Sequence, residues 1–347
     1  MHFQNRNHNK NEHGLALITV LLIFALVSML AVSIQTQQEY TIRQAASTLS
    51  SSQKYTALLS IEDFAKAGLM YDYKRDTDAN ELWDTGSELW NKPFPLQLEN
   101  IQAAIYIRDL QGLFNLNSLH PSHPQNASSK IRFKRLLDEL GIESGMETVL
   151  AQWFIKDHSS NYDYQNQDPA YSASEIQFTH PSELLLITGV THEQYRKLEP
   201  YITALPVTTP LNVNTTYPEI LSAWDGKLTL EQSREIVNKT RSNNCGPLER
   251  NNFVISDIDS FFEEAAIKEL SDPNKNPDNT WDKGDFDVKT KYFSVLSTVK
   301  LNGEEVALES IVLRDLDSDF VGTIYRDFSR QPDDIVRLVK TMNCAGA

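Results

Sequence analysis

The side chains of this sequence best suited to binding a ligand are oxygen-bearing groups in one polar loop, Trp153 to Tyr171 (WFIKDHSSNYDYQNQDPAY). Ca²⁺ takes roughly six to eight oxygen ligands, and a loop that offers carboxylates, amides and free carbonyls can supply them. The candidate ligands are Asp157, Asp163, Gln167 and Asp168. A second acidic group that could add ligands consists of Asp282, Asp285 and Asp287. The alternatives are a hydrogen-bonded loop that binds no metal and a second group that is simply solvated.

No enzyme motif accompanies these carboxylates. The sequence contains no GxSxG, HExxH, P-loop or GxGxxG pattern. Histidines without paired spacing, which we interpret as isolated surface or loop residues, are His120, His123, His158, His180 and His192. The sequence therefore predicts a protein that is not an enzyme.

Cys245 and Cys344 are the only cysteines. A disulfide between them would close a loop of about 100 residues, worth up to ~4–5 kcal/mol if it acts by restricting the unfolded chain. Two thiols without clustered histidines or a CxxC motif are poor evidence for a zinc site. A disulfide is the prediction, and two unbridged thiols are the alternative.

The first structural element predicted along the chain is an apolar helix. Leu15 to Ile34 is a run of 20 residues without formal charge, which as a helix rises about 30 Å and could span a bilayer. The helical pattern continues without Pro, and its only Gly is Gly68. A cleaved secretory signal ending at Ala31-Val32-Ser33 would have an apolar core longer than the usual ~7–15 residues. An ordinary single-pass anchor is the other alternative.

Charge restricts the partners and the orientation. The formal net charge is −15, and such a surface repels nucleic acid and anionic lipid headgroups. Arg6 and Lys10 precede the apolar run, whereas the first charge after it is Glu39. The positive-inside rule then predicts a cytoplasmic N-terminus, with the bulk of the chain outside. In a Gram-negative cell that location is the periplasm.

The remaining pattern predicts an α+β fold. Ile101 to Arg108 alternates like a half-buried strand, Lys291 to Asp315 reads as a hairpin around Asn302-Gly303, and a further strand covers Asp319 to Phe328. A polar loop is predicted for Tyr71 to Asn91. The buried face of the helix beyond the span is predicted to include Tyr55, Leu58, Ile61, Ala65 and Leu69.

A mainly helical domain is predicted to interrupt the sheet. Its helical stretches have candidate N-caps at Ser128, Ser144, Thr191 and Thr229. A loop, Ser271 to Asp287, leads back to the sheet. The predicted division is a leader (1–14), a transmembrane helix (15–35), the rest of the long helix (36–70), a head (71–117), the inserted domain (118–284), the hairpin and last strand (285–330) and a tail (331–347).

The N-terminal layout resembles that of type IV prepilins. Gly14 directly precedes the apolar helix, and the resemblance implies that a dedicated prepilin peptidase cuts between Gly14 and Leu15 on the cytoplasmic side. Prepilins usually carry Glu at the fifth residue after the cut, where this chain has Thr19. The family that typically lacks this Glu is GspK, the minor pseudopilins of the type II secretion system.

Two internal stretches are similar to the same family. Asp109 to Leu119 (DLQGLFNLNSL) resembles D-x-x-G-R-F-N-L-N-N-L, and the loop from Trp153 resembles W-I-D-A-D…G-A-E-D-x-x-Y, which implies calcium binding. The chain departs from the second pattern, with Gln152 and Ile155 where the family often has Asp and Gln167 where it often has Glu. Lost charge lowers the affinity for a hard dication.

Two segments resemble helix-hairpin-helix (SAM-like) units. They are Leu184 to Thr191 and Leu211 to Thr216, each with the helices that follow. The second is like the DNA-binding modules of competence proteins, which approach phosphate through Gly-x-Gly. Here the hairpin has a single Gly in Asp225 to Leu228 (DGKL), and the acidic field disfavours phosphate. We interpret both units as packing modules.

The resemblance implies a type IV pilin-like fold, a long helix packed on an antiparallel sheet. It also implies a tip subunit that initiates and caps a periplasmic pseudopilus together with two other minor pseudopilins, GspI-like and GspJ-like. Residues Thr36 to Leu69 would bundle with the equivalent helices of those partners. The alternatives are a DNA-binding competence pseudopilin and a single-pass periplasmic binding protein that is not cut at Gly14.

Overall fold

A computed structural model describes residues 12–98, 100–142, 145–155, 161–240, 254–277, 280–315, 318 and 320–344. The helices are α1 (Glu12–Ala79), α2 (Asn126–Glu139), α3 (Met146–Trp153), α4 (Asn161–Gln165), α5 (His192–Leu198), α6 (Pro218–Trp224), α7 (Leu230–Thr240), α8 (Ile258–Phe262), α9 (Ala265–Ser271) and α10 (Pro332–Cys344). Short 3₁₀ helices cover Leu116–Leu119, Pro181–Leu186, Glu199–Tyr201 and Lys283–Asp285. The strands are β1 (Phe94–Leu98), β2 (Ile101–Asp109), β3 (Phe114–Asn115), β4 (Ile202–Thr203), β5 (Leu211–Asn212), β6 (Phe286–Asp287), β7 (Tyr292–Leu301), β8 (Glu304–Asp315) and β9 (Phe320–Asp327).

The chain forms two compact units, Met1–Ala57 and Leu58–Ala347. In the first, α1 carries an 18-residue window of mean hydropathy 2.9, none of it buried, so this helix is long and apolar enough to cross a membrane. Its polar side chains bond locally. The Thr19 hydroxyl donates to the Ala16 carbonyl at 2.9 Å, and Glu39 pairs with Arg43 one turn on. A continuous apolar helix is therefore confirmed.

In the second unit, the last part of α1 buries Leu58, Ile61, Ala65 and Leu69, as predicted. Tyr55, in the first unit, was wrongly predicted to be buried and is half exposed. The helix also runs past the predicted start of the polar loop at Tyr71.

The physical reason for the longer helix is its cap. Asn80 adopts a left-handed conformation with φ 59°. The N–H of Glu81 then bonds the Asp76 carbonyl at 2.8 Å, and the N–H of Asn80 bonds the Thr77 carbonyl at 3.2 Å. These two bonds satisfy the last carbonyls of the helix in a Schellman motif.

The main sheet has the order β1-β2-β7-β8-β9, with antiparallel neighbours throughout. The predicted hairpin is confirmed, because Asn302 (φ 54°) and Gly303 (φ 85°) both take the positive φ that its tight turn requires. Strand β2 pairs with β7 so that Asp109 lies opposite Phe293. The chain thus leaves the sheet at Asp109, builds the helical domain, and returns beside its point of departure.

The helical domain shares one core with the adjoining edge of the sheet, and its largest fully buried side chains include Phe133, Leu136, Trp153, Tyr217 and Phe261. Two predicted N-caps are confirmed, since Thr191 with Gln194 and Thr229 with Gln232 form reciprocal bonds at helix starts.

The N-cap predicted at Ser128 was wrong. Helix α2 begins earlier, after Gln125, and the Ser128 hydroxyl donates to the Gln125 carbonyl instead of capping. Helix α3 has Gly145 as its N-cap, with a φ of 118° that favours glycine, and the predicted cap Ser144 lies outside the described residues.

The predicted tail, 331–347, contains a helix. Pro332 begins α10 at the position where a missing N–H costs nothing. Ile335, Leu338 and Val339 recur on one face and pack against Leu296 and Ala307 of the sheet. The sequence interpretation also omitted the edge strand β1 and the short helices α4, α8 and α9.

Candidate functional site

The polar junction where the chain leaves the sheet is built around Asp109, which is fully buried at the end of β2. One carboxylate oxygen accepts the N–H groups of Gln111 (2.6 Å) and Gly112 (3.3 Å). The other accepts from Asn212 (2.9 Å), Thr215 (2.5 Å) and Thr290 (2.6 Å). Burial raises the pKa of Asp109 to about 6, although the hydrogen bonds of Thr215 and Thr290 oppose that rise. One carboxylate therefore joins the sheet, the exit turn, the segment at Leu211 and the returning chain.

The DLQGLFNLNSL stretch works through backbone contacts rather than exposed chemistry. Asn117 accepts the N–H of Phe178 (2.7 Å) and donates to the carbonyls of Phe178 (2.9 Å) and Leu205 (3.0 Å). A Cβ on Gly112 would lie 2.9 Å from backbone atoms of Thr215, so the two segments cross too closely for a side chain. Asn117 therefore clamps the segments at Phe178 and Leu205 to the exit from the sheet.

A buried ion pair extends this junction. Both carboxylate oxygens of Asp84 lie 2.6 Å from a guanidinium nitrogen of Arg314 on β8, and the N–H of Thr290 donates to Asp84 at 2.7 Å. The same guanidinium donates to the Thr290 carbonyl at 2.8 Å. No pattern in the sequence singled out Asp84, because it lies in a polar stretch 230 residues from its partner.

A second buried network joins the helical domain, the sheet and α10. Glu199 accepts from Arg330 and Arg337, each at 2.8 Å, and Arg330 also lies 2.9 Å from Glu309 of β8. His180 lies 3.4 Å from Glu309, stacks on Tyr325 and caps a 3₁₀ helix. Burial acts to raise the pKa of Glu309, but the hydrogen bond of His180 and the charge of Arg330 lower it to about 2. The interpretation of His180 as an isolated histidine was wrong.

Glu62 fastens α1 to the sheet within the second unit. Its buried carboxylate accepts from Ser310 (2.6 Å), Thr323 (2.5 Å) and two nitrogens of Arg326 (2.7 and 2.8 Å). Burial opposes ionisation, but the hydrogen bond of Arg326 and those of the two hydroxyls lower the pKa of Glu62 to about 2. A charge on the helix is thereby matched by donors from β8 and β9.

The candidate calcium loop is described only in part. Asp157 lies outside the described residues, whereas Asp163, in α4, and Gln167 and Asp168 are exposed. Gln167 donates to the backbone carbonyl of Asp163 at 3.4 Å. In the portion of the loop that the structure describes, these side chains form no converging acidic group. Calcium binding here stays a prediction.

The second acidic group is spread over separate hydrogen bonds. Asp282 accepts the N–H of Gly284 at 2.9 Å, and Asp287 accepts that of Val288 at 2.7 Å. Asp285 accepts from Gln125 and lies 3.3 Å from Arg132. Among the described residues, these carboxylates form no acidic group with those of the loop.

The remaining predicted positions lie in α1, in the hairpin after α6, or outside the described residues. Gly14 lies within the first turns of α1, and Leu15 is exposed. Cys245 lies outside the described residues, as does the side chain of Cys344, so the disulfide stays a prediction. In the hairpin from Asp225 to Leu228, the N–H of Lys227 is bonded to Asp225, and a Cβ on Gly226 would meet the Arg135 guanidinium.

Comparison with known proteins identifies the family. Residues 112–207 match the family model described as type II secretion system (T2SS), protein K. The chain is 30% identical over 322 residues to the type II secretion system protein K of Pseudomonas aeruginosa, which covers 89% of this chain and 90% of the relative. This chain belongs to the type II secretion system protein K family. The Aeromonas hydrophila member is 24% identical over 339 residues, 90% of this chain and 96% of the relative.

A solved structure supports the same fold for this K-family chain. The similar chain belongs to the crystal structure of the GspK-GspI-GspJ complex from enterotoxigenic Escherichia coli, with a TM-score of 0.59 and 20% identity. The likeness covers 81% of this chain and 99% of the other. The α+β fold and the resemblance inferred from the sequence are therefore confirmed.

The region matched by the K-family model contains the Asn117 clamp, whereas Asp109 and its partners Asn212, Thr215 and Thr290 lie outside it. It begins at Gly112, inside the DLQGLFNLNSL stretch, and extends through the clamp at Asn117 past Leu205. The charged residues that the sequence did not single out lie mostly outside that region: Asp84, Glu309 and Arg314 are buried, and Arg330 and Arg337 are partly buried.

Proposed function

We propose that this chain is a minor pseudopilin that occupies the tip of the type II secretion pseudopilus, where it initiates and caps the filament for export of folded proteins across the outer membrane. The observation that carries the proposal is the helical domain inserted between the paired strands β2 and β7 in a K-family chain. A pilin-like head enlarged in this way leaves no room for another subunit to stack above it.

The partners follow from the same proposal. The similar solved chain was crystallised with GspI and GspJ, so we expect two corresponding minor pseudopilins to assemble with this chain, and the pseudopilus body to lie beneath them. In the first unit, α1 exposes large apolar side chains beyond the predicted span, including Tyr40, Ile42 and Leu49. Such a surface suits bundling with equivalent helices of the partners.

We also propose that residues 15–35 anchor the chain in the inner membrane, with a cytoplasmic N-terminus and a periplasmic bulk. The apolar window of α1 and the cations Arg6 and Lys10 before it support this orientation. Prepilin peptidase would cut after Gly14. Mass spectrometry of the mature protein should find Leu15 as the first residue, often N-methylated. An intact leader, or a first residue after Ser33, would overturn the cleavage proposal.

The tip position can be tested by imaging. Isolated pseudopili carrying an epitope at the C-terminus of this chain should bind gold-labelled antibody at one end only. The matched control is the same epitope on the major pseudopilin, which should label along the filament. Labelling of this chain along the whole length would contradict the tip proposal, whether or not secretion continues.

We further propose that the loop from Trp153 to Tyr171 binds calcium, supported by its carboxylates, amides and free carbonyls. Isothermal titration of the full chain in detergent should show saturable binding that Asp163→Asn with Asp168→Asn weakens. Absence of heat and of any thermal shift with calcium or chelator would contradict the proposal.

Nucleic acid is not an expected partner, because the net charge is −15. A shift of DNA by this protein in a gel at moderate salt would contradict that expectation.

A further inference from the structure

Three carboxylates converge where α1 gives way to the segment that precedes β1. Asp72 lies on α1, and Asp84 and Glu88 lie in the following segment. One oxygen of each lies within 4.8 Å of one oxygen of both others. Asp72 and Asp84 are buried and Glu88 is half-buried. None of these residues belongs to the acidic loop or to the group at Asp282.

Asp84 and Glu88 are held in place by donors. Glu88 accepts the N–H of Thr85 at 2.7 Å and the indole N–H of Trp90. Asp84 is paired with Arg314. Their carboxylates are therefore positioned before any ligand arrives, as a binding site requires.

Asp72 is the member of the three whose carboxylate has an oxygen available to a ligand. It is 5% exposed, and its Oδ1 accepts from Arg75 at 2.8 Å. Its Oδ2 is buried and accepts no N–H or hydroxyl within the described part of the chain, and the neighbouring Glu88 can donate a hydrogen bond to Asp72 only when its carboxyl carries a proton. A buried carboxylate oxygen without a donor costs free energy, and here it belongs to a group of like charges.

The charge balance also calls for a cation. Asp72, Asp76 and Asp84 contact the guanidiniums of Arg75 and Arg314, so with Glu88 four carboxylates accompany two cations. Like charges this close require a proton or a metal ion between them.

We propose that Asp72, Asp84 and Glu88 bind a calcium ion that ties the end of α1 to the segment leading into β1. Calcium–oxygen distances are about 2.3–2.6 Å, so three oxygens that lie within 4.8 Å of one another can touch one ion. A divalent ion would neutralise the two carboxylates in excess of the guanidiniums. Water would complete the coordination, since three carboxylates fill only part of a calcium shell.

The test uses the full chain in detergent micelles at pH 7.5, stripped with chelator and titrated with calcium alone. Wild-type protein should take up calcium saturably and melt at a higher temperature. Asp72→Asn should bind at least tenfold more weakly. It should also melt higher than wild type without calcium, because an amide replaces the oxygen that lacks a donor and can donate to Glu88. The matched control is Asp78→Asn, an exposed position six residues further along α1, which should behave like wild type.

Other results would overturn the site. An unchanged calcium response in Asp72→Asn would place the ion elsewhere. A higher melting temperature of Asp72→Asn without any calcium response in wild type would mean that a proton on Glu88 alone relieves the repulsion. The variant Asp163→Asn with Asp168→Asn should keep this response, which separates the site from the acidic loop. If Asp72→Asn does not fold, the site can be tested in wild type by terbium luminescence sensitised by Trp90. Calcium should displace the terbium and quench this emission, and emission that calcium does not reduce would overturn the proposal.

Discussion

The first part of α1 and the junction around Asp109 depart from ordinary packing in opposite ways. Along Leu15–Ala57, large apolar side chains such as Phe24 and Met29 are at least 70% exposed. At the junction, polar side chains such as Asp109, Asn212 and Thr290 are at most 5% exposed. Soluble domains normally bury the first kind and expose the second.

The two regions therefore depend on different partners. In the part of the chain that the structure describes, the apolar window of this helix is not buried, so it needs lipid or other helices to remove it from water. The buried polar groups have their partners inside the chain and specify which segments meet. Substitutions in the first region should therefore alter assembly more than stability, and substitutions in the second should alter stability first.

The largest loss of stability is expected for Arg314→Met. It removes the guanidinium from Asp84 and leaves a buried carboxylate without its cation, which costs about 3–5 kcal/mol. The matched control is Arg43→Met, which breaks the exposed pair with Glu39 and should cost less than ~1 kcal/mol. Chemical denaturation of both full-length variants in detergent measures the difference. Equal losses would contradict the contrast between the regions.

Asn117→Ala should destabilise by about 2–3 kcal/mol, because buried backbone groups of Phe178 and Leu205 would lose their partner. The control, Asn274→Ala, removes an exposed amide bonded to Asp272 and should change the free energy of unfolding by less than ~0.5 kcal/mol. A loss below 1 kcal/mol at Asn117 (the order of one ordinary hydrogen bond) would show that the clamp is dispensable.

Periodicity and turn chemistry were enough to predict four of the five strands of the sheet, all but β1. The alternation from Ile101 and the Asn302-Gly303 turn are local signals, and both match the structure. The C-terminal helix was missed although Ile335, Leu338 and Val339 have helical spacing. The segment predicted as a tail therefore carried a local helical pattern of its own.

The junction itself could not be predicted from local patterns. Its bonds join positions such as Asp109 and Thr290, 181 residues apart, and a polar residue in a polar stretch gives no sign of burial. The resemblance did mark Asn117 and Asn212 as members of family stretches. Their role became evident only when the fold placed backbone carbonyls and Asp109 beside them.

Glu62 and Glu309 predict an acid limit for the second unit. Both have a pKa lowered from 4.5 to about 2 in the folded protein, so the stability they contribute is complete above the unfolded value and is lost as the pH falls from about 4.5 through about 2. Glu62→Gln should cost about 1–2 kcal/mol at pH 7, since charged hydrogen bonds are replaced by neutral ones. It should also flatten part of the slope of melting temperature against pH between 2 and 5. Glu39→Gln, an exposed control in the first unit, should leave that slope unchanged, and a slope unaltered in Glu62→Gln would contradict the assignment.

Thr19→Glu should have the smallest effect on stability and a visible effect on assembly. Thr19 is exposed, and its hydroxyl bonds only its own helix, so in detergent the free energy of unfolding should change by less than ~0.5 kcal/mol. A carboxylate at this position could pair with the free amino terminus of a neighbouring subunit, and would thus allow this chain to enter the filament body. Gold labelling should then spread from one end along the pseudopilus, whereas Thr19→Gln, which has similar size but no charge, should keep the label at the tip. If secretion and tip labelling are the same in both variants, the absence of the carboxylate does not determine the position, and the inserted helical domain alone must keep this subunit at the end.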